Sequence, residues 1–167
     1  MKIVILLMIS GWMAACSGST TPPAATEAPF YAPDFTLDSL NGLTYTLSDL
    51  RGRWVIVNFW ATWCEPCKRE MPDLDALAAA YADDLVVLGI NVRENSDLIR
   101  TFLDDIPVTF PILIDPNDQV LIDYVVTGLP QTVLVDPQGI VIFRAFGPID
   151  REAFIDLLRD AVTDSTS

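Results

Sequence analysis

Two cysteines separated by two residues, Cys64 and Cys67, are the residues of this chain best suited to chemistry. Such a pair can form and reopen a disulfide, and its thiolate can attack a disulfide of another molecule. A purely structural disulfide would stabilise the fold little, because the loop that it closes is so short. A zinc site would need two more Cys or His ligands, but the chain has no His and only one other cysteine, Cys16. The pair therefore predicts a redox site that uses no metal and no cofactor.

The residues around the pair predict a strand that leads directly into a helix. Residues 54–59 are β-branched and aromatic apart from one asparagine, as in a strand buried on both faces. Residues 65–81 carry apolar side chains at helical spacing, and Pro66 suits a first helical turn. Cys64 is then expected to face solvent at the helix N-terminus, where free N–H groups and the dipole stabilise a thiolate. Cys67 should follow one turn later on the inner side.

The run WCEPC at residues 63–67 resembles the active site of the TlpA, ResA and CcmG (DsbE) branch of thioredoxin-like proteins. The run GLPQT at residues 128–132 resembles the Gly-x-Pro segment of the same proteins, in which a cis proline faces the cysteines. The resemblance covers about residues 32 to 163. It implies an α/β, thioredoxin-like fold with an N-terminal β-hairpin and a central αβ insertion.

The resemblance also implies roles for individual residues. Cys64 is expected to attack the substrate disulfide, and Cys67 to resolve the mixed disulfide that results. The residues expected to contact the substrate are Trp63, Glu65, Pro66, Leu129 and Pro130.

Glu70 is the candidate for proton transfer to and from the cysteine pair. It follows Cys67 by one helical turn on the same face, and ResA-like proteins place a carboxylate there. Asn58 occupies the position of a buried aspartate in plain thioredoxin and cannot accept a proton. Spacing alone leaves open that Glu70 is a solvated helix residue without a role.

The first 31 residues predict an exported and tethered protein. Residues 1–15 read as a signal peptide, because a lysine precedes an apolar run too short to span a membrane. The run MAAC at residues 13–16 resembles a lipobox, which implies a lipid on Cys16. An ordinary signal peptide with a stray cysteine, or an uncleaved anchor, remains an alternative. Residues 16–31 are small, polar and proline-rich and predict a flexible tether, followed by a single domain over residues 32–167.

The domain alternates strand-like and helix-like segments, which predicts a sheet with parallel strands and right-handed crossovers. Asn41-Gly42 predicts a hairpin turn between two short N-terminal strands. Further strands are predicted over residues 85–91, 111–115, 132–136 and 140–145, and helices over residues 96–105, 118–124 and 150–162.

The formal charge of -13 argues against binding to nucleic acid or to an anionic bilayer through electrostatic attraction. The sequence thus predicts a monomeric thiol-disulfide reductant, lipid-anchored on the extracytoplasmic side of a bacterial membrane. The resemblance suggests a disulfide-containing exported protein as substrate, for example in cytochrome c maturation, and a membrane thiol donor of CcdA or DsbD type.

Two other classes of protein are alternatives to this prediction. A peroxiredoxin-like thiol peroxidase is the main alternative, because peroxiredoxins begin with a similar hairpin. It would have a threonine three residues before the reactive cysteine, where this chain has Ala61. A copper-delivery module of the Sco type would need a wider cysteine spacing and a histidine.

Overall fold

The computed structural model of the protein describes residues 29–164. The predicted signal peptide, Cys16 and residues 17–28 of the predicted tether lie outside this range. Among the helices within the described range, none is both long and apolar enough to cross a membrane.

The described residues form seven strands and four α-helices. In chain order these are β1 (Thr36–Asp38), β2 (Thr44–Thr46), β3 (Trp54–Trp60), α1 (Glu65–Ala80), β4 (Leu85–Asn91), α2 (Ser96–Asp105), β5 (Ile112–Ile114), α3 (Gln119–Asp123), β6 (Gln131–Val135), β7 (Val141–Phe146) and α4 (Arg151–Asp164). A 3₁₀ turn, Leu47–Leu50, follows β2.

The main sheet has the strand order β5-β4-β3-β6-β7. Strands β3, β4 and β5 are parallel to one another, whereas β6 pairs antiparallel with both β3 and β7. The predicted strand–helix alternation is confirmed in the parallel half. The extra strand and helix, β5 and α3, lie between α2 and β6 in the chain and correspond to the predicted central insertion.

Strand β3 is the middle strand of the main sheet, and each of its seven residues is buried. Its side chains alternate between two cores, as the pleat of a strand requires. Ile56 and Trp60 pack with apolar residues of α1 and α4, and Val55 and Val57 pack with the hairpin and α3. The strand is therefore held by packing on both faces. The same packing fixes the end of the strand, Trp60, from which the chain continues to Cys64.

The predicted N-terminal hairpin is confirmed, although each of its strands has only three residues. Thr36 pairs with Thr46 across β1 and β2, and Gly42 adopts a positive φ of 84° in the connection. The sequence predicts that the domain begins at residue 32. The Phe30 carbonyl accepts a hydrogen bond of 2.9 Å from the Val141 backbone N–H, so ordered contacts begin before that boundary.

Helix α1 begins and ends close to the predicted positions. Pro66 lies in its first turn, and the helix continues past the internal Pro72 to Ala80. Its buried residues share one face of the helix and are Cys67, Glu70, Met71, Leu74 and Leu77.

Candidate active site

Cys64 and Cys67 form a disulfide at the N-terminus of α1. Cys64 is the N-cap residue, and its Sγ accepts a hydrogen bond of 3.2 Å from the Cys67 backbone N–H. The predicted placement at the helix start is confirmed. The expectation that Cys64 faces solvent is wrong, since only 4% of Cys64 is exposed, against 1% of Cys67. Both cysteines pack against the α1 side of the core, so a substrate must reach a sulfur that is nearly covered.

The exposed surface beside the disulfide is formed by Trp63 and Glu65. Trp63 is 67% exposed, which is far more than is usual for a large aromatic side chain. The Glu65 carboxylate forms an ion pair with Lys68 one turn later. Hydrogen bonding to Lys68 and its positive charge lower the pKa of Glu65. Pro66 is half-buried between these residues and Cys67.

The Leu129–Pro130 peptide bond is cis, as predicted. Gln131, the next residue, pairs with Phe59 near the end of β3, so Pro130 lies at the sheet edge from which the chain leaves toward Cys64. The Pro130 carbonyl accepts a hydrogen bond of 2.8 Å from the Gly147 backbone N–H. Proline also has no N–H of its own. The Pro130 carbonyl is therefore engaged within the domain, and the residue offers no backbone donor.

An apolar groove of about 430 Å³ runs from Trp63 along the connection between α3 and β6. Leu129 is partly buried and contacts both cores, while Ile122 and Val125 are exposed at the groove. Val125 has a φ of 51°, a conformation that β-branched residues rarely adopt. The full lining is Trp63, Val92, Arg93, Leu121, Ile122, Val125, Val126, Thr127, Gly128 and Leu129.

Glu70 is buried beneath the active site and is not a solvated helix residue, with 5% of it exposed. Its Oε1 accepts hydrogen bonds of 3.0 Å from Asn58 Nδ2 and from Thr132 Oγ1. Its Oε2 accepts one of 3.2 Å from the Ile149 backbone N–H. Burial raises the pKa of Glu70, and the nearby Asp73 adds a smaller rise, while the hydrogen bonds from Thr132 and Ile149 oppose it. A carboxyl group of this kind can hold a proton more readily than an exposed one.

Sequence reasoning missed the residues that surround Glu70 and those that hold the segment before Cys64. Thr132 and Ile149 are far from Glu70 in the chain and meet it only through the fold. Glu94 follows β4, and its carboxylate accepts hydrogen bonds from Thr62, which follows β3. One signal could have found this contact, because the carboxyl ends of adjacent parallel strands lie at the same edge of a sheet.

The site combines a disulfide at a helix N-terminus with a cis proline at the adjacent sheet edge and a buried carboxyl group one turn below. On a thioredoxin-like sheet, this arrangement defines a thiol-disulfide oxidoreductase. The chain belongs to the AhpC/TSA family, whose profile matches residues 31–144.

Relatives agree with this assignment and confirm the resemblance. The thiol-disulfide oxidoreductase ResA of Geobacillus thermodenitrificans is 41% identical over 146 residues, which are 83% of this chain and 82% of that protein. A thiol:disulfide interchange protein of Chlorobium tepidum has a TM-score of 0.74 at 26% identity, with 82% of this chain and 99% of that chain covered. The exposed lipoprotein thioredoxin of Streptococcus pneumoniae has a TM-score of 0.70 at 29% identity, with 77% and 99% covered.

Proposed function

We propose that this oxidoreductase acts as a reductant of disulfides in exported proteins, with Cys64 as the attacking thiolate. The observation that carries the choice of Cys64 as the attacking sulfur is the hydrogen bond that it accepts from the Cys67 N–H at the start of α1. Hydrogen bonding to a charged group and the positive end of a helix dipole both favour the thiolate. Of the two sulfurs, Cys64 is the one that receives this stabilisation.

The reaction transfers two electrons from the dithiol to the substrate. The Cys64 thiolate attacks one sulfur of the substrate disulfide, forming a mixed disulfide and releasing the first substrate thiolate. Cys67 then loses its proton and attacks the Cys64 sulfur, which releases the second substrate thiolate. The product is the Cys64–Cys67 disulfide of the structure.

Glu70 is the proposed acceptor for the proton that Cys67 must lose. It lies on the same buried face of α1 as Cys67, and its pKa is raised by burial. Asn58 donates a hydrogen bond to the Glu70 carboxylate and so helps to hold it in place.

The substrate is proposed to lie over the disulfide and along the apolar groove that begins at Trp63. The contacting residues are Trp63, Glu65, Pro66, Leu129 and Pro130. The charge of Glu65 should oppose a thiolate at Cys64, but its ion pair with Lys68 weakens this opposition. The redox potential of the Cys64–Cys67 pair is therefore not set by Glu65 alone, because the Lys68 ion pair and the Cys67 N–H also act on the Cys64 thiolate.

The cellular setting is proposed from the N-terminal sequence and from a relative. A lipid on Cys16 would anchor the protein on the outer side of a bacterial membrane, and the pneumococcal relative is named as an exposed lipoprotein. Apocytochrome c or another exported protein would be the substrate. A membrane thiol donor of CcdA or DsbD type would return the Cys64–Cys67 disulfide to the dithiol.

Reduction of insulin disulfides by the full chain tests the roles of the cysteines. Cys64→Ser should abolish the activity, whereas Cys67→Ser should accumulate mixed disulfides, because the resolving thiol is missing. Cys16→Ser should keep the activity but lose partition into detergent. Equal trapping by the Cys64 and Cys67 variants would defeat the role assignment, and rapid peroxide consumption by the reduced protein would favour the peroxidase alternative.

A further inference from the structure

Glu94 connects the segment after β4 to the segment that carries Cys64. Its Oε2 accepts hydrogen bonds from the Thr62 backbone N–H at 2.7 Å and from Asn91 Nδ2 at 2.8 Å. Its Oε1 accepts one from Thr62 Oγ1 at 2.5 Å. A carboxylate with three donors makes strong, charge-assisted hydrogen bonds. Thr62 is thus held through both its backbone and its side chain.

The position of Thr62 makes this contact relevant to the reacting sulfur. Thr62 lies inside the turn that the Cys64 N–H closes on the Ala61 carbonyl at 3.1 Å. The same turn sets where the Cys64 sulfur lies relative to the Cys67 N–H, which it contacts. A shift of Thr62 would therefore move the sulfur away from the donor that stabilises its thiolate.

Glu94 is itself held by rigid neighbours. Asn91 is buried and pairs with Trp60 across β4 and β3. Arg93, immediately before Glu94, has a φ of 61°, a conformation that non-glycine residues adopt only when the surroundings impose it. Its guanidinium is ion-paired with Asp118 at 2.7 Å. The carboxylate therefore extends from a fixed backbone toward the cysteine turn.

We propose that Glu94 is a positioning residue for the reacting cysteine, acting through Thr62 to hold the turn of residues 61–64. In the reduced protein this keeps the Cys64 thiolate against the Cys67 N–H at the helix N-terminus. The proposal rests on the proposed role of Cys64 as the attacking thiolate. No substrate contact is assigned to Glu94.

Positioning and charge predict changes of opposite sign when Glu94 is removed. A carboxylate near a thiolate disfavours it, so by charge alone Glu94→Ala would lower the thiol pKa and make Cys64 react faster. Loss of positioning removes the helix N-terminal hydrogen bond from the thiolate, raises the thiol pKa and slows the reaction. Thr62→Val separates the two effects further, because it removes only the hydroxyl and leaves the charge of Glu94 in place.

The test is the rate at which iodoacetamide alkylates Cys64 in the reduced full chain, from mildly acidic to alkaline pH. Tandem mass spectrometry of the alkylated peptide distinguishes Cys64 from Cys67. Thr62→Val and Glu94→Ala should slow alkylation at neutral pH by about tenfold, the effect of a rise of about one pKa unit. Their pH profiles should move to higher pH. Thr62→Ser, which keeps the hydroxyl, should react at the wild-type rate.

The chain offers a matched control in Thr109. Its backbone N–H and Oγ1 both donate to Asp75 Oδ1, at 2.6 and 2.8 Å, so the contact is of the same kind. Asp75 lies about 15 Å along α1 from the cysteine end of the helix. Thr109→Val should therefore leave the alkylation rate of Cys64 unchanged.

Two results would overturn the role of Glu94. One is an unchanged or faster alkylation of Cys64 in both Thr62→Val and Glu94→Ala. The other is equal slowing in Thr109→Val, which would show general loosening of the domain. If Glu94→Ala does not fold, the comparison of Thr62→Val with Thr62→Ser decides alone. Faster alkylation of Cys67 than of Cys64 in the wild type would instead defeat the proposed nucleophile, whatever the variants show.

Discussion

Replacing Glu70 with glutamine should lower the pKa values of the cysteine thiols. Glu70 and Cys67 are three residues apart on the buried face of α1, a spacing that puts side chains about 6 Å apart. With an effective dielectric constant of about 20, a carboxylate and a thiolate at that distance repel by about 3 kcal/mol. This corresponds to about two pKa units. Because the thiols and Glu70 titrate as a coupled set, the shift belongs to the whole profile.

The variant should keep the fold. A glutamine Oε1 can still accept hydrogen bonds from Asn58 and Thr132. Its NH₂ group cannot accept the hydrogen bond from the Ile149 N–H, and the loss of that bond should lower the free energy of unfolding by about 1 kcal/mol. The assay is the alkylation rate of the reduced thiols across pH, compared between wild type and Glu70→Gln. Asp83→Asn is the control, since Asp83 is an exposed carboxylate just beyond the far end of the same helix. Superimposable profiles for wild type and Glu70→Gln would refute the coupling of Glu70 to the cysteines.

Three further predictions concern stability and can be checked by urea unfolding of the oxidised protein. The folded-state pKa of Glu70 is raised above its ordinary 4.5, so the protonated carboxyl group contributes its full stability below pH 4.5. This contribution is lost as the pH rises through the raised pKa. The stability of Glu70→Gln should not fall in this way, because glutamine does not titrate. Gly89→Ala should destabilise the fold by about 1–3 kcal/mol, because an added Cβ would lie 2.8 Å from Phe110 Cε2. Val125→Asn should stabilise it by about 1 kcal/mol, since asparagine tolerates the positive φ and Val125 is exposed; an equal or lower stability would show that the valine is not strained.

Much of the fold could be predicted because its signals are local. The apolar run of β3 and the helical spacing after Cys64 lie within one segment, and both elements form within one residue of the predicted bounds. The cis state of Pro130 was predicted only through a family resemblance, because sequence alone favours a trans proline. The strand and the helix of the insertion also begin and end within one residue of the predicted bounds.

The site was only partly predictable, because its chemistry depends on contacts between distant elements. Helical spacing placed Glu70 near Cys67, but only the fold brings Thr132 and Ile149 to its oxygens. The burial of Cys64 was mispredicted for a similar reason: its cover comes from core residues of other elements, which no local pattern reveals.

The contact between the N-terminal segment and β7 bears on whether copies of the domain associate with one another. β7 is the last strand of the main sheet, and an open strand edge invites pairing with another chain. The Phe30 carbonyl binds the first residue of β7, and Tyr31 bridges to Ile140 just before it. The chain that arrives from the proposed anchor thus shields the start of this edge from intermolecular strand pairing. Fragments that begin after Tyr31 would expose the edge and should self-associate more readily than fragments that begin before Phe30.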